Sequence, residues 1–218
     1  MTEIVLSEEK ARVLGSLIEK ELATPEYYPL SLNALVNACN QKTNRDPVVS
    51  YTEDMVAVAL EELRAKGLAW ESSSSRVMKY GQNLTRRHKL LPAESALICV
   101  MLLRGPQTPG ELKSRTERMH KFGSLDELEQ TLFSLAESGW VTELPRKPGQ
   151  KEKRWAHLLS GEHPVVEQQS SGAAVDPAIA RAKSGSARID ELEKEVAGLK
   201  EELAELKNAF DEFRSQFE

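Results

Sequence analysis

Apolar residues in the first part of the chain recur at helical spacing, and the same spacing returns 72 positions later. Val56, Leu60 and Leu63 are followed by Gly67 and Leu68; shifted, they become Leu128, Leu132 and Leu135, followed by Gly139 and Trp140. Steps of four and then three place such side chains on one face of a helix. A glycine after the last of them supplies the left-handed residue that stops a helix. Strand-like segments come next, Leu68-Ala69-Trp70 and Trp140-Val141-Thr142, each closed by an acid, Glu71 and Glu143.

The pattern extends upstream. Ser31 precedes a short helix through Leu35 and Cys39, and its counterpart is Thr108, 77 positions on. Thr108-Pro109-Gly110-Glu111 is a capping box with proline at the first helical position. Ala11, Val13 and Leu17 match Ala96, Ile98 and Leu102 at an offset of 85. The offsets shrink from 85 to 77 to 72, so the first copy carries 8 extra residues around Thr24–Tyr28 and 5 more around Gln41–Pro47.

Each copy then predicts helix, short extended piece, helix, turn, helix, strand, turn, strand. The last helices start near Thr52 and Ser124, where Ser124-Leu125-Asp126-Glu127 is a second capping box, and the closing strands fall near Arg76–Tyr80 and Lys153–Leu158. Three helices with a terminal hairpin are the winged form of the helix-turn-helix. The expected fold class is therefore mainly α with small β-hairpins (α+β): tandem winged-helix domains over residues 1–85 and 86–159. Copies of this size have marginal cores alone and are expected to pack on each other. The competing expectation is one α+β domain with an accidental repeat.

Residues 160–187 are rich in Ser, Gly, Ala and Gln and are expected to be a flexible linker. Residues 188–218 carry a strict seam: Ile189, Leu192, Val196, Leu199, Leu203, Leu206, Phe210, Phe213 and Phe217 are spaced alternately three and four apart. That is a coiled-coil pattern. With Ile189 at position a, a parallel dimer pairs Arg188 with Glu193, Glu195 with Lys200 and Glu202 with Lys207. Three contacts attract and none repel. The expectation is a homodimer through a parallel coiled coil. The alternatives are a helix folded back on its own domains, or phenylalanines that dock another protein.

Composition narrows the chemistry. The chain has 218 residues, 40% apolar and 29% charged, with only Cys39 and Cys99 as thiols. Each cysteine sits among apolar helical residues, which fits a reduced core thiol and a reducing compartment. No apolar run is long enough to cross a bilayer, and MTEIVLSEEK does not resemble a secretion signal, so a cytoplasmic protein is expected. His88, His120, His157 and His163 are scattered, with no metal-ligand spacing. No nucleophile motif or phosphate loop occurs. No catalytic residue, metal or cofactor is expected, and the chain is expected not to be an enzyme.

Charge is unevenly distributed. Residues 1–85 hold 9 Lys and Arg against 12 Asp and Glu; residues 86–159 hold 13 against 9; residues 160–218 hold 7 against 13. The basic middle third raises the question of nucleic acid. A helix-turn-helix reads bases with the start of its last helix. Here those starts, Thr52-Glu53-Asp54-Met55 and Ser124-Leu125-Asp126-Glu127, are acidic, which disfavours standard major-groove docking. The candidate phosphate contacts are Lys113, Arg115, Arg118 and Lys121 on or after the second helix of copy two, with Arg146, Lys147, Lys151, Lys153 and Arg154 in its hairpin. Arg86, Arg87 and Lys89 in the connection adjoin them. Such a face would hold backbone rather than bases; the plain alternative is a solvated surface. In copy one, Asn40, Gln41, Lys42, Asn44, Arg45 and Asp46 form a polar loop suited to a partner protein or a phosphate, or simply a capped turn.

Four segments carry a family resemblance: Thr24-Pro25-Glu26-Tyr27-Tyr28-Pro29-Leu30; Asn40 through Val48; Arg104-Gly105-Pro106-Gln107-Thr108-Pro109-Gly110-Glu111-Leu112; and Pro145 through Glu152. They resemble the YceH family of uncharacterised bacterial proteins, over about Leu6 to Leu159, with the tail similar only in kind. The resemblance implies a tandem winged-helix fold. It implies no activity, ligand or catalytic residue. Two functions are therefore expected in competition: a dimeric regulator contacting DNA backbone through copy two, or a protein-interaction adaptor that uses both copies as a scaffold.

Overall fold

In the computed structural model, which describes residues 4–73, 77–146 and 152–161, hydroxyl side chains start five of the helices. Ser7, Ser31, Thr52, Thr108 and Ser124 each accept a backbone N–H three residues on. They begin α1 (Glu8–Ala23), α2 (Leu32–Cys39), α3 (Glu53–Ala65), α6 (Pro109–Thr116) and α7 (Leu125–Glu137). Between them come α4 (Leu84–Arg87) and α5 (Pro92–Arg104). At α5 the Glu94 carboxylate accepts the Leu91 N–H, and Pro92 takes the first helical position. The capping box at Thr108 is complete. The one at Ser124 is half formed, because Glu127 takes the Gly123 N–H instead of that of Ser124.

Gly67 and Gly139 both have positive φ, at 68° and 74°. The residue after each donates its N–H five residues back, Leu68 to Leu63 and Trp140 to Leu135. This closes α3 and α7 in the same left-handed turn. Each helix then feeds an antiparallel hairpin, β1 (Ala69–Ser72) with β2 (Lys79–Gln82), and β3 (Val141–Leu144) with β4 (Arg154–His157). A single residue adds to the outer edge of each hairpin. Leu30 exchanges both backbone bonds with Tyr80, and Gln107 does so with Trp155. These bridges are the short extended pieces expected between the first and second helices of each half.

The second strand of each hairpin departs from expectation. β4 is one residue shorter at each end than the expected Lys153–Leu158. β2 lies three residues later at its start than expected and runs on to Gln82. The ring of Trp70 covers Gly81 so closely that a Cβ there would sit 2.3 Å from it. Only glycine permits that cover, and the ladder runs on past it to the Ala69–Gln82 pair. Arg76, expected to open this strand, lies outside the described residues, as do Lys147 and Lys151 of the second hairpin turn. The linker and the whole heptad seam, Ile189 to Phe217, also lie outside them.

The described residues belong to one compact unit with one continuous core. α1 packs on α2, α3 and α5, so residues 11–18 of α1 are buried on every side. Residues 95–103 of α5 are equally enclosed. The two helices meet at Gly15, whose missing side chain leaves Leu102 and Leu103 at 3.0 Å from where a Cβ would be. The Cys99 thiol donates to the Gly15 carbonyl across this contact at 3.3 Å. Cys39 and Cys99 are both free and buried, and burial raises both thiols above their usual pKa.

Candidate functional site

The repeat extends to the exposed faces of the last helices. In α3 the exposed positions are 53, 54, 55, 58, 61, 62 and 65. In α7 they are 125, 126, 127, 130, 133, 134 and 137, the same set shifted by 72. Neither face carries a lysine or arginine. That of α3 presents Glu53, Asp54, Glu61 and Glu62 with Met55 and Val58; that of α7 presents Asp126, Glu127 and Glu137 with Leu125 and Phe133. Phe133 is 56% exposed and stacks edge-on against Trp155 at 5.5 Å. Both faces are acidic and apolar, a poor match to a phosphate backbone.

The basic residues of the second half separate into two groups. Glu111, the acid of the Thr108 cap, lies between α6 and β4. One of its oxygens accepts both the Thr108 N–H at 2.9 Å and Arg154 at 2.8 Å; the other stands 3.5 Å from Arg115. Burial alone would raise its pKa, but the Thr108 bond, Arg154 and Arg115 together hold it below the ordinary carboxylate range. Lys153 is taken by Glu143 at 2.5 Å. Arg115, Lys153 and Arg154 are thus engaged by acids of their own half. Lys113, Arg118, Lys121 and Arg146 have no ion pair among the described residues, and all but Lys113 are exposed.

The polar loop of the first half also divides. Arg45 is 5% exposed. Its guanidinium donates to both carboxylate oxygens of Glu19, at 3.1 and 2.7 Å, and to the Ala38 carbonyl near the end of α2. Arg12 adds a second strut, donating to the carbonyls of Cys39 and Pro47. The Asn40 amide clamps the backbone of Tyr51 with two bonds of 2.8 Å. Asn40 and Arg45 therefore hold the loop, leaving Gln41, Lys42, Asn44 and Asp46 on its outer side.

That outer side faces the second half. The Asp46 N–H donates to the Leu103 carbonyl at 3.0 Å, and Asn44, in a left-handed conformation with φ of 60°, accepts from Arg104 at 2.6 Å. A cleft of about 610 Å³ runs between this loop and the last turn of α1 on one side, and the end of α5 with the far part of α6 on the other. It brings Lys42 of one candidate set beside Arg115 and Arg118 of the other. Lys20 and Arg104 complete its cations and belong to neither set expected from sequence. A signal for Arg104 exists: Glu19 and Arg104 occupy matching positions of the repeat, 85 apart, with opposite charge.

Among the described residues no group of His, Cys, Asp and Glu is placed to hold a metal, and no helix is long and apolar enough to cross a membrane. A family model described as a protein of unknown function, DUF480, matches residues 6–150. The chain is 51% identical over 208 residues to a UPF0502 protein of Solibacter usitatus, covering 95% of each chain. It is 49% identical over 219 residues to a UPF0502 protein of Pelobacter propionicus, covering 99% of this chain and 100% of that one. A UPF0502 protein of Opitutus terrae is 58% identical over 162 residues, 72% of this chain and 70% of that one.

Proposed function

The chain belongs to the DUF480 family of proteins of unknown function, and from that premise we propose that it is a tandem winged-helix protein that holds the backbone of duplex DNA against α6. The support is the unneutralised charge of Lys113, Arg118, Lys121 and Arg146. Cations without an ion-pair partner have the most to gain from phosphate, because each contact releases condensed counterions. Arg115, Lys153 and Arg154 contribute less, since Glu111 and Glu143 already engage them. The acidic faces of α3 and α7 keep those helices out of the groove, so the contact is with backbone and carries little sequence preference.

The test is anisotropy with a labelled duplex. With about four phosphate contacts, affinity falls on the order of 10²-fold between 50 and 200 mM salt. The triple substitution Lys113→Ala, Lys121→Ala, Arg146→Ala removes most of the binding and of its salt slope. No binding by the intact protein at 50 mM salt rejects the reading.

A second reading is favoured by the matching acidic and apolar faces of α3 and α7. Exposed Leu125 and Phe133 beside Trp155 suit a basic, amphipathic segment of another protein, which would make the chain an adaptor. The heptads from Ile189 to Phe217 bear on either function. They are proposed to pair in parallel with a second copy, so that removal of residues 186–218 halves the mass measured by light scattering; an unchanged mass excludes the pairing.

A further inference from the structure

We propose that the cleft between the two halves is a binding site for a phosphate-bearing small molecule of nucleotide size. Its lining carries five cations, Lys20, Lys42, Arg104, Arg115 and Arg118, against two carboxylates, Glu19 and Glu117. Glu19 is already saturated: Arg45 takes both its oxygens and Lys20 stands at 3.1 Å. With Arg115 engaged by Glu111 from outside the lining and Lys20 by Glu19, the cleft keeps Lys42, Arg104 and Arg118 against Glu117, a net positive charge.

Arg104 is the centre of this imbalance. It follows the apolar run 96–103 at the end of α5, and its one hydrogen-bond acceptor among the described residues is the neutral amide oxygen of Asn44. Burial, and then the charges of Arg115 and Arg45, lower its pKa, while Asp46 and Glu19 only partly oppose them. Guanidinium groups gathered beside one another in a partly enclosed space are relieved by an anion, and the planar fork of arginine matches phosphate oxygens.

Size and lining define the class. A volume of about 610 Å³ falls within the range of small-molecule sites and far exceeds a single phosphate. Gln41, Thr43 and Ser114 offer uncharged hydrogen-bonding groups, and Ala23, Leu103 and Met119 offer apolar surface for a less polar body. A ligand with a charged head and a heterocyclic or sugar body satisfies both. The walls come from opposite halves, so the ligand would bridge them. Arg115 and Arg118 also belong to the proposed DNA face, but Lys20, Lys42 and Arg104 do not, and the inference does not rest on the DNA reading.

Calorimetric titration of the full-length protein at 50 mM salt tests the site, with ATP, pyrophosphate, adenosine and a duplex DNA as probes. ATP and pyrophosphate are expected to bind saturably, ATP more tightly, and adenosine not at all. Arg104→Gln and Lys42→Gln are each expected to weaken ATP at least tenfold, with the circular dichroism spectrum retained. The pair Lys121→Ala, Arg146→Ala, outside the cleft, is expected to leave ATP binding intact while weakening DNA. Absence of saturable ATP and pyrophosphate binding overturns the proposal. So does ATP binding that survives both cleft substitutions. Full displacement of ATP by equimolar duplex would assign the cleft to the nucleic-acid backbone and equally overturn the small-molecule site.

Discussion

Arg45 and Glu19 show how residue type and residue role part company. In a loop of polar residues an arginine is naturally taken for a surface contact. Here its side chain is fully buried and bonded to a carboxylate that is 12% exposed. Breaking a buried pair costs up to about 3–5 kcal/mol, and somewhat less here because Lys20 stays 3.1 Å from the carboxylate left behind. Arg45→Ala is thus expected to lower the urea midpoint sharply, without touching an exposed group. The pair also confers a pH dependence. Burial pushes Glu19 upward, but hydrogen bonds and charge from Arg45, with Lys20, hold it below the ordinary carboxylate range. A carboxylate lowered in the folded state stabilises fully above its unfolded pKa, and that contribution is lost as pH falls through the folded value. Glu19→Gln should weaken the protein near neutrality and flatten its loss of stability below about pH 4. Equal acid slopes in both proteins would show that the pair is not the source.

At the scale of elements, α6 joins stability to charge through one carboxylate. Glu111 caps the helix, where an acid is favoured by the unpaired N–H groups, and also engages Arg115 and Arg154. Glu111→Gln keeps an acceptor for the Thr108 N–H and frees both arginines. On the proposed DNA reading, low-salt affinity should rise and the salt slope steepen by about one for each cation that gains a phosphate. A measured affinity and slope unchanged by this substitution would place α6 away from the nucleic acid. The helices themselves are legible in the sequence. Hydroxyl caps, Pro109 and the stop glycines are local signals, and the chain obeys them at Ser31, Thr52, Thr108, Gly67 and Gly139. The second strands are less legible. Their ends depend on a tryptophan covering Gly81 and on backbone bridges from Leu30 and Gln107, all made by residues distant in sequence.

At the scale of the whole unit formed by the described residues, the central contact is that of α1 with α5, the matching first helices of the two halves. Residues 11–18 and 95–103 bury all their faces, which neither half can do by itself. Residues 1–161 are therefore expected to unfold in one transition by circular dichroism and fluorescence, and fragments 1–85 and 86–161 to fold only when mixed. Two separate transitions would show independent domains. Spacing and local chemistry in the chain already carry the repeated apolar pattern, the helices and most of their caps, the acidic start of α3 and of α7, and the excess of positive charge in residues 86–159. Those properties are written in spacing, capping chemistry and composition, which act over a few residues. Which charges remain available is set by the packing of the helices. That packing turned Arg45 inward, placed Glu111 within reach of Arg154, and set Lys42 across a cleft from Arg104 and Arg118. Each of these pairings joins residues tens of positions apart, and a pairing energy depends on distances that only the packed helices fix.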